Sequence, residues 1–303
     1  MKNILAIPIA ICILTSNAFA QLRVVTTTTD LAAIVHAIGG KHTKITAIAK
    51  GYQDPHYVQA KPSYMRQLNR ADLLVYTGLE LEVGWLPLII QGARNPKITL
   101  GAPGHLNASV GITPLEIPEG QMDRSMGDIH PEGNPHYLLD PRNGLTVAQT
   151  IAKKLSELTP EHTGSYQKNL KQFDQNLQTS IKAWKIRLQT LQNKHIVTHH
   201  KLWEYLANWL QITIIDQIEK KPGVPPSPRH VAELVSRIKT GHIPFLFCSN
   251  VIDPKPAKRV ADRANIQLLV LPASVGGEPE IKTYTDLFET IVTRLETAAK
   301  GSL

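Results

Sequence analysis

Short apolar runs recur along the chain at 22–25, 45–49, 73–76, 98–100, 195–198, 212–215, 244–248 and 268–271. Each is three to five residues long and bounded by polar or turn-forming positions, the pattern of buried strands. Between them, 31–38, 65–69, 231–238, 257–264 and 284–298 carry apolar residues at helical spacing. Strands alternating with helices predict the α/β class, with parallel sheets covered on both faces.

One stretch breaks this rhythm. From Tyr166 the apolar positions run Leu170, Phe173, Leu177, Ile181, Trp184, Leu188 and Leu191, a stripe with steps of three and four, and Pro160 lies near its start. The spacing predicts one long amphipathic helix, about 40 Å from end to end at ~1.5 Å per residue. The strand–helix pattern lies on both sides of it. Two α/β lobes are therefore expected, at 21–145 and 195–303, joined through a connecting region at 146–194 that holds the long helix. Two lobes imply a cleft between them, a common place for a small ligand.

The first twenty residues change the picture of where the chain works. Lys2 precedes an almost wholly apolar run at 4–14, and small residues lead to Ala18-Phe19-Ala20. That is the layout of a cleaved secretory signal, and the run is shorter than the roughly 20 residues a spanning helix needs. The expectation is a signal peptide at 1–20, cleavage after Ala20, and a periplasmic product without a transmembrane segment. Beyond it Cys248 is the sole cysteine, in the run Phe245-Leu246-Phe247-Cys248, so no disulfide forms and the thiol is expected to pack in a core. The formal charge is +8, from 33 Lys and Arg against 25 Asp and Glu. These cations are scattered along helices without a basic block or interleaved aromatics, which argues against nucleic acid as a partner.

Twelve histidines carry the candidate chemistry. His56 lies in Gln53-Asp54-Pro55-His56-Tyr57, just after a predicted strand, where Pro55 restricts both itself and Asp54. His136 repeats the device in Asn134-Pro135-His136-Tyr137. A stiffened loop loses little entropy when its side chain takes a metal. His199 and His200 close the strand that starts at His195, at the carboxyl edge where ligands gather in open α/β sheets. Successive strand residues face opposite ways, so one of the pair is expected to face a ligand. Asp54, Asp140 and Glu204 are the carboxylates nearby in sequence that could hold an imidazole's second nitrogen. Three histidines from three strand ends, shared between lobes, suit zinc.

The segments Asp54-Pro55-His56, Asn134-Pro135-His136-Tyr137-Leu138-Leu139-Asp140-Pro141 and Thr198-His199-His200-Lys201-Leu202-Trp203-Glu204-Tyr205 occur in that order, followed by Lys221-Pro222-Gly223-Val224-Pro225-Pro226-Ser227-Pro228. In this the chain resembles the zinc- and manganese-binding solute-binding proteins of metal-uptake ABC transporters, over nearly all of 21–303. The resemblance implies two lobes joined by a rigid helix, a metal between them, a membrane permease as partner, and no catalysis. Carried over by position, it implies His56, His136 and His200 as metal ligands, with His199 beside the site.

An acidic fourth ligand, usual in such proteins after the last strand, has no match in Leu271-Pro272-Ala273-Ser274-Val275-Gly276-Gly277. Glu278, Glu280 or water is left to complete the sphere. His130 is expected to be a surface residue with at most an accessory role. Three imidazoles favour Zn2+ as the transported ion over Mn2+ or Fe2+, and a monomer is expected. The competing readings are a metal-binding surface adhesin and a zinc hydrolase. Against the hydrolase, the chain holds no H-E-x-x-H.

Overall fold

The computed structural model describes residues 21–118, 130–220 and 223–301; the expected signal peptide at 1–20 lies outside them. The first sheet consists of β1 (Leu22–Thr26), β2 (Thr43–Ala47), β3 (Leu73–Tyr76) and β4 (His105–Asn107). The second consists of β5 (His195–Thr198), β6 (Thr213–Gln217), β7 (Phe245–Ser249) and β8 (Gln267–Leu271). All pairings are parallel, and the spatial orders β2-β1-β3-β4 and β6-β5-β7-β8 are the same topology twice. In each sheet the connections leave the first strand in opposite directions. A crevice therefore opens at the carboxyl ends of the strands.

The helices are α1 (Thr29–Gly39), α2 (Pro62–Asn69), α3 (Leu86–Ala93), α4 (Pro141–Leu158), α5 (Thr163–Arg187), α6 (Glu204–Leu210), α7 (Pro228–Thr240), α8 (Lys255–Ala264) and α9 (Tyr284–Gly301). The predicted stripe forms α5, with Tyr166, Leu177 and Trp184 buried along it. Its 25 residues span about 38 Å. Trp184 Nε1 donates to Glu289 Oε2 at 2.7 Å, and Arg187 Nε donates to Glu296 Oε2 at 2.8 Å, so α5 is strapped to α9.

One predicted strand is corrected. Residues 98–100 do not pair; Ile98 is buried at the end of a single 3-10 turn, Pro96–Ile98. Asn95 Oδ1 accepts the Lys97 N–H and Pro96 has no N–H to give a ladder. The edge strand forms only after Gly104, at β4.

Three apolar clusters hold the layers together. Val25, Leu74, Trp85 and Ile89 belong to one on the outer face of the first sheet. Val197, Leu234, Leu246, Cys248 and Val260 belong to its counterpart on the second. The largest cluster runs without a break from Val24 and Leu73 of the first sheet, through Ile151, Leu177 and Trp184, to Phe247, Leu271 and Phe288 of the second half. The lobes thus share a core rather than meeting at a wet seam. Cys248 is buried and free, and burial pushes its thiol up to about 12. Among the described residues no helix is long and apolar enough to cross a membrane.

Candidate metal centre

The carboxyl edges of the two sheets face each other across a cavity of about 60 Å3. Organic ligands occupy pockets of roughly 300–1,000 Å3, so this cavity suits an ion with at most one or two waters. Its walls include His56, His136, His200, Asp30 and Ser274.

His56 follows β2 on a 3-10 turn, Pro55–Tyr57. Asp54 Oδ1 accepts both the His56 backbone N–H at 2.9 Å and His56 Nδ1 at 2.7 Å. A neutral His56 therefore carries its proton on Nδ1, and the Nε2 lone pair is left for another partner. Burial would raise the Asp54 carboxyl, but the hydrogen bonds and charge of His56 outweigh it and hold it below its ordinary value.

His136 uses the same local device, since Asn134 Oδ1 accepts its backbone N–H at 2.9 Å. It does not stand at a strand end, as the sequence suggested. It enters the turn Tyr137–Leu139 that leads into α4, far beyond β4. Asn134 Nδ2 in turn donates to Glu204 Oε2 at 3.3 Å, and the Tyr205 hydroxyl donates to the Asn134 carbonyl at 2.9 Å. The loop of His136 is thus tied to α6 of the other lobe. Burial, then the neighbouring imidazoles, push the His136 pKa well down and keep the ring neutral, as a metal ligand must be.

His200 lies just past β5, with its side chain 12% exposed. Its Nδ1 is 3.0 Å from Glu219 Oε2, which fixes the tautomer with Nε2 free. Burial would raise Glu219; the bond from His200 and the nearby histidine charges hold it low instead. His199 turns the other way. It is 2% exposed, with Nδ1 3.4 Å from Cys248 Sγ and Nε2 3.7 Å from Glu219 Oε1, and it is no part of the cavity wall.

The structure redistributes the carboxylates named from sequence. Asp54 does hold an imidazole. Asp140 instead caps α4 and pairs with Arg142, and Glu204 accepts from Asn134 rather than from an imidazole of the site. Glu219 is the group that sequence reasoning missed, because its partner lies 19 residues away and only the parallel β5–β6 pairing brings them together. Glu278 and Glu280 are also corrected. Glu278 Oε1 accepts from Arg294 Nη1 at 2.9 Å, Glu280 is exposed, and neither lines the cavity. The wall there is Ala273 and Ser274.

His130 is the other departure. It is half-buried, not a surface residue, and its Nε2 lies 3.1 Å from His56 Nε2. Burial, followed by the charges of His56 and His200, pushes its pKa down to about 4.

Ring centroids are 5.2 Å apart for His56–His130 and for His56–His136, 6.2 Å for His56–His200 and 6.4 Å for His136–His200. Two imidazoles on one tetrahedral zinc, with N at ~2.0–2.1 Å, put their centroids roughly 5.1 Å apart. No three His, Cys, Asp or Glu side chains among the described residues form a finished cage. His200, the group from the second lobe, stands about 1 Å farther from His56 and His136 than that geometry asks.

The profile of one protein family, "Zinc-uptake complex component A periplasmic" (ZnuA), matches residues 24–298. The chain belongs to this family. It is a substrate-binding component of a metal-uptake ABC transporter, not an enzyme. Among its relatives, the manganese ABC transporter substrate-binding lipoprotein scaA of Streptococcus gordonii is 27% identical over 259 residues, covering 84% of this chain and 80% of that protein. PsaA of Streptococcus pneumoniae serotype 4, also described as a manganese ABC transporter substrate-binding lipoprotein, is 27% identical over 82% of this chain and 78% of its own length. The fold matches a zinc-bound deletion mutant of ZnuA with a TM-score of 0.76 at 23% identity, over 92% of this chain and 98% of that one. It also matches a Mn-bound periplasmic metal-binding protein of candidatus liberibacter asiaticus, with a TM-score of 0.76 at 21% identity, over 92% and 100%.

Proposed function

We propose that this ZnuA-family protein captures Zn2+ between its lobes in the periplasm, through His56, His136 and His200, and hands it to the membrane permease of its transporter. The observation that carries the reading is that these three imidazoles, from both lobes, wall one ion-sized cavity. Nitrogen donors suit zinc, whereas manganese prefers more oxygen. Both halves of the site lie on one chain, so a monomer suffices.

A manganese reading has two supports: the description of two streptococcal relatives as manganese ABC transporter lipoproteins, and Asp30 as an oxygen donor in the wall. Against it, Asp30 Oδ1 already accepts the Val275 N–H at 2.8 Å.

Zinc titrations of alanine variants, monitored against a competing chelator, test the ligand set. Replacing His56, His136 or His200 is expected to lower affinity by about a hundredfold or more, and His199→Ala far less. A full loss at His199 with none at His200 would reverse the assignment.

A further inference from the structure

We infer that His130, which stands against His56 rather than in the cavity wall itself, turns in as the fourth donor, so that four imidazoles and no carboxylate bind the ion. The inference rests on the proposed site and goes beyond it by naming the group that closes the sphere.

Four observations lead there. First, two nitrogens bound to one tetrahedral zinc at ~2.0–2.1 Å are separated by roughly 3.3 Å, and His130 Nε2 stands 3.1 Å from His56 Nε2. Second, the His56 proton is held at Nδ1 by Asp54. In the neutral pair the Nε2–H between the rings therefore belongs to His130, and it points at the His56 lone pair. A cation arriving there replaces that bridging proton, while His130 takes a proton at Nδ1 and remains a neutral donor. Third, the His56–His130 centroid distance equals that of His56–His136, both at 5.2 Å, so His130 stands as near to His56 as a proposed ligand does.

Fourth, the acidic candidates are committed elsewhere. Glu278 grips Arg294, Asp54 and Glu219 hold the outer nitrogens of His56 and His200, and Asp30 accepts from Val275. With Ala273 and Ser274 at the end of the loop after β8, that side of the cavity offers only a hydroxyl. Four neutral nitrogens leave the +2 charge to be balanced by Asp54 and Glu219 behind the rings. Such a set discriminates strongly against manganese, which wants oxygen.

The test uses the full mature chain, with His130→Ala, His130→Asp and His136→Ala, each checked for unchanged metal-free thermal unfolding. Zinc affinity is measured by chelator competition, and Co2+ is loaded as a probe, because its visible absorption is intense only in tetrahedral sites. His130→Ala is expected to lose about tenfold or more in zinc affinity and most of the Co2+ band. His130→Asp should keep binding while increasing the manganese share taken from an equal zinc–manganese mixture. Wild-type zinc affinity and Co2+ spectrum in His130→Ala, with loss in His136→Ala, would overturn the fourth-donor assignment and leave the three-histidine site standing. No effect of either alanine variant would overturn both.

Discussion

Two of the proposed ligands owe their placement to a tripeptide. In Asp54-Pro55-His56 and Asn134-Pro135-His136 the first side chain accepts the histidine's own N–H, two residues on, and the proline stiffens the link. Such a device is complete within a few residues, which is why His56 and His136 could be singled out from sequence. Groups that meet only through the fold could not. Glu219 reaches His200 because β5 and β6 lie side by side, and His130 reaches His56 across 74 residues. The choice between His199 and His200 rested on the family resemblance and on strand alternation; in the structure His200 lines the cavity while His199 packs against Cys248. Glu219 offers a direct test at this scale. Glu219→Gln keeps the shape but removes the charge that orients His200 and sharpens its basicity. Zinc affinity is expected to fall by about 10–100-fold with metal-free stability little changed. Unaltered affinity in the chelator assay would show that Glu219 does not serve the site.

At the scale of elements, the alternation of strands and helices was legible because a parallel sheet buried on both faces demands continuous apolar runs. The exception, 98–100, was apolar for a different reason: Ile98 fills the core from a 3-10 turn. Nothing in a three-residue run distinguishes the two cases. The elements also meet across the cleft. Asp30, in the first turn of α1, accepts the Val275 N–H from the loop after β8. At Gly51 a Cβ would come within 2.2 Å of the Val275 carbonyl, so only glycine permits this approach.

Burial raises the Asp30 carboxyl to about 6, against the opposing bonds from Val275 and Ser274. The folded chain thus keeps a proton that the unfolded chain has already released. The stability this gives is complete below the unfolded pKa of 3.8 and is lost as pH rises through about 6. Asp30→Asn retains an acceptor for Val275 without the charge. Denaturant unfolding of the metal-free protein should show the variant more stable by up to about 3 kcal/mol at pH 8, with the advantage shrinking towards pH 4. An advantage independent of pH would contradict this account of Asp30.

Over the whole molecule, the two sheets have one topology and share one core. The sequence showed two lobes and a long helix through periodicity alone. It could not show that the helix stripe packs into a core continuous with both sheets, since that depends on the tertiary contacts of Trp184 with Trp209 and Phe288. A shared core resists hinge opening, because separating the halves would expose it. Capture at the proposed site then calls for small side-chain movements, His200 among them, rather than a hinge.

The proposed function comes down to selection of zinc by nitrogen donors. It is tested most directly by elemental analysis of the mature protein, stripped of metal and reloaded in an equimolar mixture of zinc, manganese and iron. One zinc per chain is expected, lost in His200→Ala. Manganese or iron retained in place of zinc would contradict the donor-set argument, and no retained metal would contradict the site itself.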